Sequence, residues 1–216
     1  MAMLRLLDGF RLSHHGRELD VGRAQQRLLA YLALCGPTTR DKIAAELWPD
    51  ACADRAMARL RTTLWRLNQL GLPLITCEDE VLALDPTVEV DLAVTDRDRE
   101  LLPGWYEDWV LSERDRLRRL FLENLERLAE QRLLDGRYGE ALEFALAAMR
   151  AAPLRETPHL LLVRVHIEEG NHLEALAAYL AYRSALGAEP SPRMRQRVES
   201  IATLSTRATG QLLAGD

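Results

Sequence analysis

The chain has 216 residues, of which 48% are apolar, and a formal net charge of −5 at pH 7. This length suits one large domain or two small ones, and the apolar share is enough for a packed core. The chain has no uninterrupted run of about 18 apolar residues, which excludes a transmembrane helix. Its N-terminal segment lacks the pattern of a signal peptide. The three cysteines are too widely spaced for a disulfide framework or a zinc site, so we expect reduced thiols in a cytoplasmic protein.

The charge is unevenly distributed along the chain. Residues 1–70 hold eleven Lys and Arg against seven Asp and Glu, a net charge of +4, whereas residues 71–98 carry −7 and residues 99–216 carry −2. Phosphate-binding surfaces are basic. Any nucleic-acid surface is therefore expected in the first seventy residues.

The first ninety residues predict strands, then three helices, then a hairpin. Apolar residues alternate with polar ones up to residue 22, which favours three short antiparallel strands. From Arg23 the spacing becomes helical; a first helix ends at Gly36-Pro37, and a second, capped by Thr38 with Asp41, ends at Pro49.

The third predicted helix, residues 54–70, separates its side chains into two faces at about 100° per residue. The apolar face carries Met57, Leu60, Leu64 and Leu67. The opposite face carries the residues that we predict to bind DNA: Arg55, Arg59, Thr62, Arg66 and Gln69, with Thr63 at its edge and Arg61 off its axis. Arginine forms paired hydrogen bonds with phosphate or guanine, and Gln and Thr can hydrogen-bond base edges. The alternative is a solvated helix with ordinary surface arginines.

A β-hairpin with an acidic tip, Glu78-Asp79-Glu80, follows the third helix. Two helices and a hairpin in this order are typical of a winged helix-turn-helix, whose last helix enters the major groove. Three carboxylates at the tip would repel the DNA backbone. Residues 86–103 are predicted to be a connection with a short helix around Thr95 to Leu101.

The C-terminal half contains an internal repeat of thirty-four residues, starting at Gly136 and again at Gly170. Glu140-Ala141-Leu142 aligns with Glu174-Ala175-Leu176, and this period predicts tetratricopeptide-like helix pairs, each with its glycine in the turn. Helical residues 192–204 would cap the stack, and residues 205–216 are expected to fray.

No sequence pattern indicates catalysis or a bound cofactor. The chain lacks a P-loop, GxGxxG, GxSxG and HExxH, and its histidines have no neighbouring cysteine or carboxylate at metal-ligand spacing. We therefore expect no enzyme activity, cofactor or metal.

Trp105 and Trp109 are expected to join two domains, and Trp65 lies between the two faces of the third helix.

Several short motifs resemble one family. The opening LRLLDGFRL, the Leu47-Trp48-Pro49-Asp50 step and helix residues 56–67 resemble the DNA-binding domain of the Streptomyces antibiotic regulatory proteins (SARPs). The Leu101-Leu102-Pro103-Gly104 stretch and the later Glu189-Pro190-Ser191-Pro192 resemble parts of that family's bacterial transcriptional activation domain. The resemblance covers roughly residues 3–204. Where the family's wing usually has Gly-Tyr, this chain has Glu80-Val81.

The resemblance implies a mostly α fold with two domains. Residues 1–97 would form a winged helix-turn-helix with small β-strands, of the response-regulator output type, and residues 98–216 an all-α tetratricopeptide-like domain. No receiver domain, ATPase or phosphopeptide-binding module follows, so the short form of the family is expected. Its members bind direct repeats in double-stranded DNA near promoters and help recruit RNA polymerase, which implies an activator and allows a homodimer.

A second hypothesis concerns protein binding alone. Tetratricopeptide stacks bind partner proteins, and the acidic wing and negative net charge favour an adaptor whose winged helix contacts protein. The arginines of the third helix favour DNA. The salt dependence of binding distinguishes the two hypotheses, because DNA binding releases phosphate counterions.

Overall fold

The computed structural model describes residues 1–92 and 99–199. The chain divides into two compact units, Met1–Arg118 and Arg119–Asp216. The predicted domain boundary at residues 97 and 98 stays a prediction. Most of the short helix expected around residues 95–101, and the fraying expected at residues 205–216, lie outside the described residues.

The first unit begins with the three predicted antiparallel strands, β1 (Ala2–Arg5), β2 (Arg11–His14) and β3 (Arg17–Leu19). A fourth strand, β7 (Val88–Val90), pairs with β1 in parallel and gives the sheet order β3-β2-β1-β7. The strand β7 lies in the segment predicted to be a connection, because a three-residue strand has too little alternation to be recognised from sequence. The sheet buries Leu4 and Leu12 in the core of this unit.

Three helices follow the first sheet: α1 (Arg23–Cys35), α2 (Arg40–Leu47) and α3 (Ala53–Asn68). A second sheet has the order β4-β6-β5 and consists of β4 (Thr38–Thr39), β5 (Ile75–Glu78) and β6 (Val81–Leu84). The helices α2 and α3 with the β5–β6 hairpin form the predicted winged helix-turn-helix. Below, the "wing" means residues 75–84.

The capping box predicted for α2 is wrong. Thr38 lies in β4, where its hydroxyl donates a hydrogen bond to the carbonyl oxygen of Gly36 at 3.0 Å. The residue at the N-cap is Thr39, and its side chain makes no capping hydrogen bond. Pairing of β4 with β6 places Thr38 opposite Leu82, so tertiary structure has overridden a local signal.

The two tryptophans expected at a domain junction belong to the core of the first unit. Trp105 stacks on Phe10 at a centroid distance of 6.3 Å, and Trp109 packs edge-on against Tyr31 at 5.4 Å. The guanidinium of Arg23 lies 3.5 Å from the centre of the Trp105 ring, a cation–π contact. Residues after 97 therefore help to build the same core as β1 and α1.

The second unit is helical. Its elements are the C-terminal part of α4 (Asp108–Leu134), then α5 (Tyr138–Ala151), α6 (Glu156–Glu168), α7 (His172–Leu186) and helical residues 192–199. Successive helices α5, α6 and α7 pack on their neighbours. Gly136 and Gly170 lie in the predicted turns with φ of 71° and 78°, which glycine adopts without strain.

Three pairs of positions that the thirty-four-residue offset aligns are buried in the second unit. They are Ala141 and Ala175, Ala145 and Tyr179, and Ala148 and Tyr182. Small residues in the first copy let helices approach closely, and tyrosines in the second copy fill more space. The predicted fold class, mostly α with a small-stranded winged helix and a tetratricopeptide-like part, is confirmed.

A buried histidine ties α6 to the segment before it. Nε2 of His159 donates a hydrogen bond to the carbonyl oxygen of Pro153 at 2.8 Å, and its ring stacks on Tyr182 at 4.2 Å. Burial lowers the pKa of His159 below its ordinary value of 6.5. The folded state therefore favours the neutral form of the imidazole.

We predict that His159 makes the second unit sensitive to acid. Below pH 6.5 the unfolded chain binds a proton that the folded chain resists, so the free energy of unfolding falls as the pH falls. Urea unfolding of the full chain between pH 5 and pH 8, followed by circular dichroism, measures this. In His159→Gln, which retains a donor but does not titrate, the pH dependence should be shallower; an unchanged slope would contradict the assignment.

Candidate nucleic-acid interface

Helix α3 is held to the first unit by its apolar stripe. Leu60 and Leu67 are 0% and 2% exposed, and Ala56 is also buried. The helix packs against α1 and α2. Asp54 in its first turn and Arg66 in its last turn both suit the helix dipole. The stripe fixes which residues of α3 face outward.

Six of the seven residues predicted to bind DNA lie on the exposed surface of α3: Arg55, Arg59, Arg61, Thr62, Arg66 and Gln69. Within the described part of the chain, none of the four arginines forms an ion pair or a side-chain hydrogen bond. Several other arginines of the unit do have partners; Arg23 and Arg27, for example, both contact Glu107, at 3.4 and 3.0 Å. The guanidinium groups of α3 are therefore available to an external anion.

The seventh predicted residue, Thr63, is on the wrong side of the helix. It is 4% exposed, and its hydroxyl donates a hydrogen bond to the carbonyl oxygen of Arg59 at 2.8 Å. The sequence placed Thr63 at the edge of the polar face, whereas packing extends the buried side to include it. Thr62 is exposed as predicted, but its hydroxyl hydrogen is donated to the carbonyl oxygen of Ala58 at 3.0 Å.

The arginines flank the exposed face rather than occupy its centre. At about 100° per residue, the positions opposite Leu60 and Leu67 are those of Ala58, Thr62, Trp65 and Gln69. Arg55, Arg59 and Arg66 follow one flank, and Arg61 lies on the other. Trp65 is 61% exposed, whereas the sequence predicted a position between the two faces of the helix. The burial of Thr63 together with the apolar stripe turns α3 so that Trp65 faces outward.

The acidic wing tip is partly neutralised by a residue that sequence analysis did not single out. Arg40, at the start of α2, contacts the carboxylate of Glu80 at 3.1 Å and donates a hydrogen bond to the sulfur of Cys77 at 3.3 Å. Asp79 and Glu80 form the hairpin turn with φ of 45° and 66°. Glu78 and Asp79 remain exposed without a described ion-pair partner, so the tip is still acidic.

The described residues contain no cluster of His, Cys, Asp and Glu that could hold a metal ion. Nor is any helix among them both long and apolar enough to cross a bilayer.

The first unit is thus a winged helix-turn-helix whose third helix carries four exposed arginines with no partner among the described residues, and the second unit consists of packed helices. Residues 96–202, about half of the chain, match the family model described as the bacterial transcriptional activator domain. The chain carries this domain and is a SARP-type transcriptional regulator, which confirms the resemblance seen in its sequence.

One solved structure with a similar fold is that of Mycobacterium tuberculosis EmbR in complex with a low-affinity phosphopeptide. The TM-score is 0.63 at 20% sequence identity, and the alignment covers 99% of this chain and 70% of that chain. At this identity the likeness concerns the fold. No curated protein sequence matches the chain.

Lysine substitutions test the placement of the two threonines. Thr63→Lys should lower the free energy of unfolding by more than about 2 kcal/mol, because it forces an ammonium group into an apolar site. Thr62→Lys, one residue away, should change it by less than about 0.5 kcal/mol. Urea denaturation of both variants measures the difference. Equal effects would contradict the observed orientation of α3.

Proposed function

We propose that this regulator is a sequence-specific DNA-binding protein that inserts α3 into the major groove and activates transcription. The observation that carries the proposal is the combination, on one helix, of a buried stripe with four exposed arginines that have no partner among the described residues. The major groove admits an α-helix, and arginine forms paired hydrogen bonds with guanine or phosphate.

The three arginines of one flank suit contacts to base edges and to the phosphates of one strand. Arg55, Arg59 and Arg66 span about three turns of helix, which at 1.5 Å per residue extends roughly 16 Å. This length reaches several successive base pairs. Arg61 on the other flank is placed to contact the opposite strand.

The second unit is proposed to contact other proteins. Packed helix pairs present extended surfaces to partners. By analogy with the family that the sequence resembles, we assign RNA polymerase as the partner at promoters with direct repeats in their DNA, and we include pairing of two copies on adjacent repeats. A regulator with this function acts in the cytoplasm, where the bacterial chromosome lies.

An adaptor that binds only protein is the second candidate. The exposed carboxylates of Glu78 and Asp79 favour it, since they would repel phosphate. The contact between Arg40 and Glu80 weakens that argument, because it removes part of the tip's negative charge.

Selection of bound fragments from the source organism's sheared DNA tests the proposal. We expect the wild-type chain to enrich a repeated motif upstream of a few genes, with affinity that falls steeply as salt rises. Arg59→Ala/Arg66→Ala should lose the motif, because each paired base contact contributes about 1–3 kcal/mol. Circular dichroism should show both chains folded.

The matched control removes two exposed arginines from the first sheet instead. Arg11→Ala/Arg17→Ala lowers the charge of the same unit equally and should retain the motif. If both double variants retain it, α3 does not bind DNA through this face. If the folded wild-type chain enriches nothing at low or at moderate salt, the result favours the adaptor hypothesis. Partners would then be sought with residues 119–216.

Neutralising the wing tip should strengthen DNA binding. Glu78→Gln/Asp79→Asn leaves the Arg40–Glu80 pair in place, and asparagine tolerates the positive φ at position 79. We expect the variant to bind duplexes of any sequence more tightly, by a factor that shrinks as salt rises, because repulsion from phosphate is lost. Fluorescence anisotropy with a labelled duplex measures this; unchanged affinity at low salt would mean that the wing lies away from the DNA.

A further inference from the structure

The centre of the exposed face of α3 is apolar from Ala58 to Trp65, and the polar Gln69 follows at its C-terminal end. The apolar part consists of the methyl group of Ala58, the γ-methyl group of Thr62 and the indole of Trp65, all on exposed residues. Thr62 presents no hydroxyl hydrogen outward, because that hydrogen is donated to the carbonyl oxygen of Ala58. Below, the "apolar strip" means Ala58, Thr62 and Trp65.

Trp65 is a large exposed aromatic residue on the helix that we propose to enter the major groove. Trp65 is 61% exposed, and within the described part of the chain its ring forms no aromatic or cation–π pair. Its neighbours Arg61 and Arg66 carry charge that favours contact with nucleic acid rather than with a membrane interior or an apolar protein surface.

The major groove offers one apolar group to such a strip. Among the four bases, guanine, cytosine and adenine present hydrogen-bond donors and acceptors, and thymine adds a C5-methyl group. Alanine and threonine methyl groups and aromatic rings are among the contacts that read it. A polar base edge facing the strip would lose its hydration without gaining a hydrogen bond.

The geometry points to a thymine-reading function for the apolar strip, in which Trp65 and Ala58 contact C5-methyl groups while the flanking arginines bind phosphate and guanine. This inference rests on the proposed function. It assigns to Trp65 a role in specificity, distinct from the electrostatic role of the arginines.

The length of the strip sets how many thymines it can reach. Ala58 and Trp65 are seven residues apart, about 10 Å along the helix axis. Base pairs are stacked at about 3.4 Å, so the strip covers roughly three successive steps. Thymines are therefore expected within one short tract of the bound sequence, with guanine beside it where an arginine reaches a base edge.

The test uses deoxyuridine, which pairs as thymidine does and lacks only the methyl group. The wild-type chain first enriches a motif from a random-sequence duplex pool, and that duplex is then synthesised with deoxyuridine at each thymine in turn. Removing a contacted methyl group should weaken wild-type binding roughly three- to fivefold, the effect of about one buried methylene-sized group. The Trp65→Ala variant should bind the thymine duplex and the deoxyuridine duplex with equal affinity for at least one of these positions.

The control variant is Tyr106→Ala, which removes another aromatic that is 77% exposed in the same unit but outside α3. It should keep the wild-type preference for thymine. The inference is overturned if the enriched motif contains no thymine, if wild type binds the deoxyuridine duplexes equally well, or if Trp65→Ala keeps the full preference. Each of these outcomes leaves DNA binding intact, whereas failure to enrich any motif removes the proposed function itself.

Discussion

The surface of the first unit depends on one constraint, the burial of Leu60 and Leu67 beneath α3. Turning the helix by a single residue, about 100°, would carry Arg59 or Arg61 toward the core. An unpaired guanidinium in an apolar site costs several kcal/mol, so the observed orientation has no close competitor. The identity of every outward side chain on α3, including Trp65, follows from that orientation.

Arginine has two distinct roles in the first unit. Arg114 donates to the carbonyl oxygens of Leu101 and Leu102, and Arg23 and Arg27 share Glu107, so these guanidinium groups fasten the chain that follows the first sheet. The arginines of α3 contribute no described contact to the fold. A net charge of −5 is thus compatible with phosphate binding, because no acidic side chain in residues 1–92 and 99–199 pairs with the arginines of α3.

The order of the elements was predictable because hydrophobic periodicity and glycine turns are local signals. The strands β1 to β3, the helices and the repeat centred on Ala141 and Ala175 all follow from such patterns. The position of Thr63 and the contact of Arg40 with Glu80 were not predictable, since both depend on what packs from elsewhere in the chain. Helical wheels assign the middle of a face reliably, and tertiary packing decides its edges.

The packing of residues 101–110 into the core of the first unit has a consequence for how such proteins can be recombined. Residues 96–118 lie within the span matched to the activator domain, yet Leu102, Trp105 and Val110 complete the core that contains β1. The backbone N–H of Leu102 donates a hydrogen bond to the carbonyl oxygen of Leu6 at 2.8 Å, which joins this segment to the residues that follow β1. A chimera joined at residue 95 would therefore receive these residues from a foreign sequence and expose or misfit the core of its winged helix. The first unit ends at Arg118, inside α4, so a chimera joined there would keep every residue of this core from one parent.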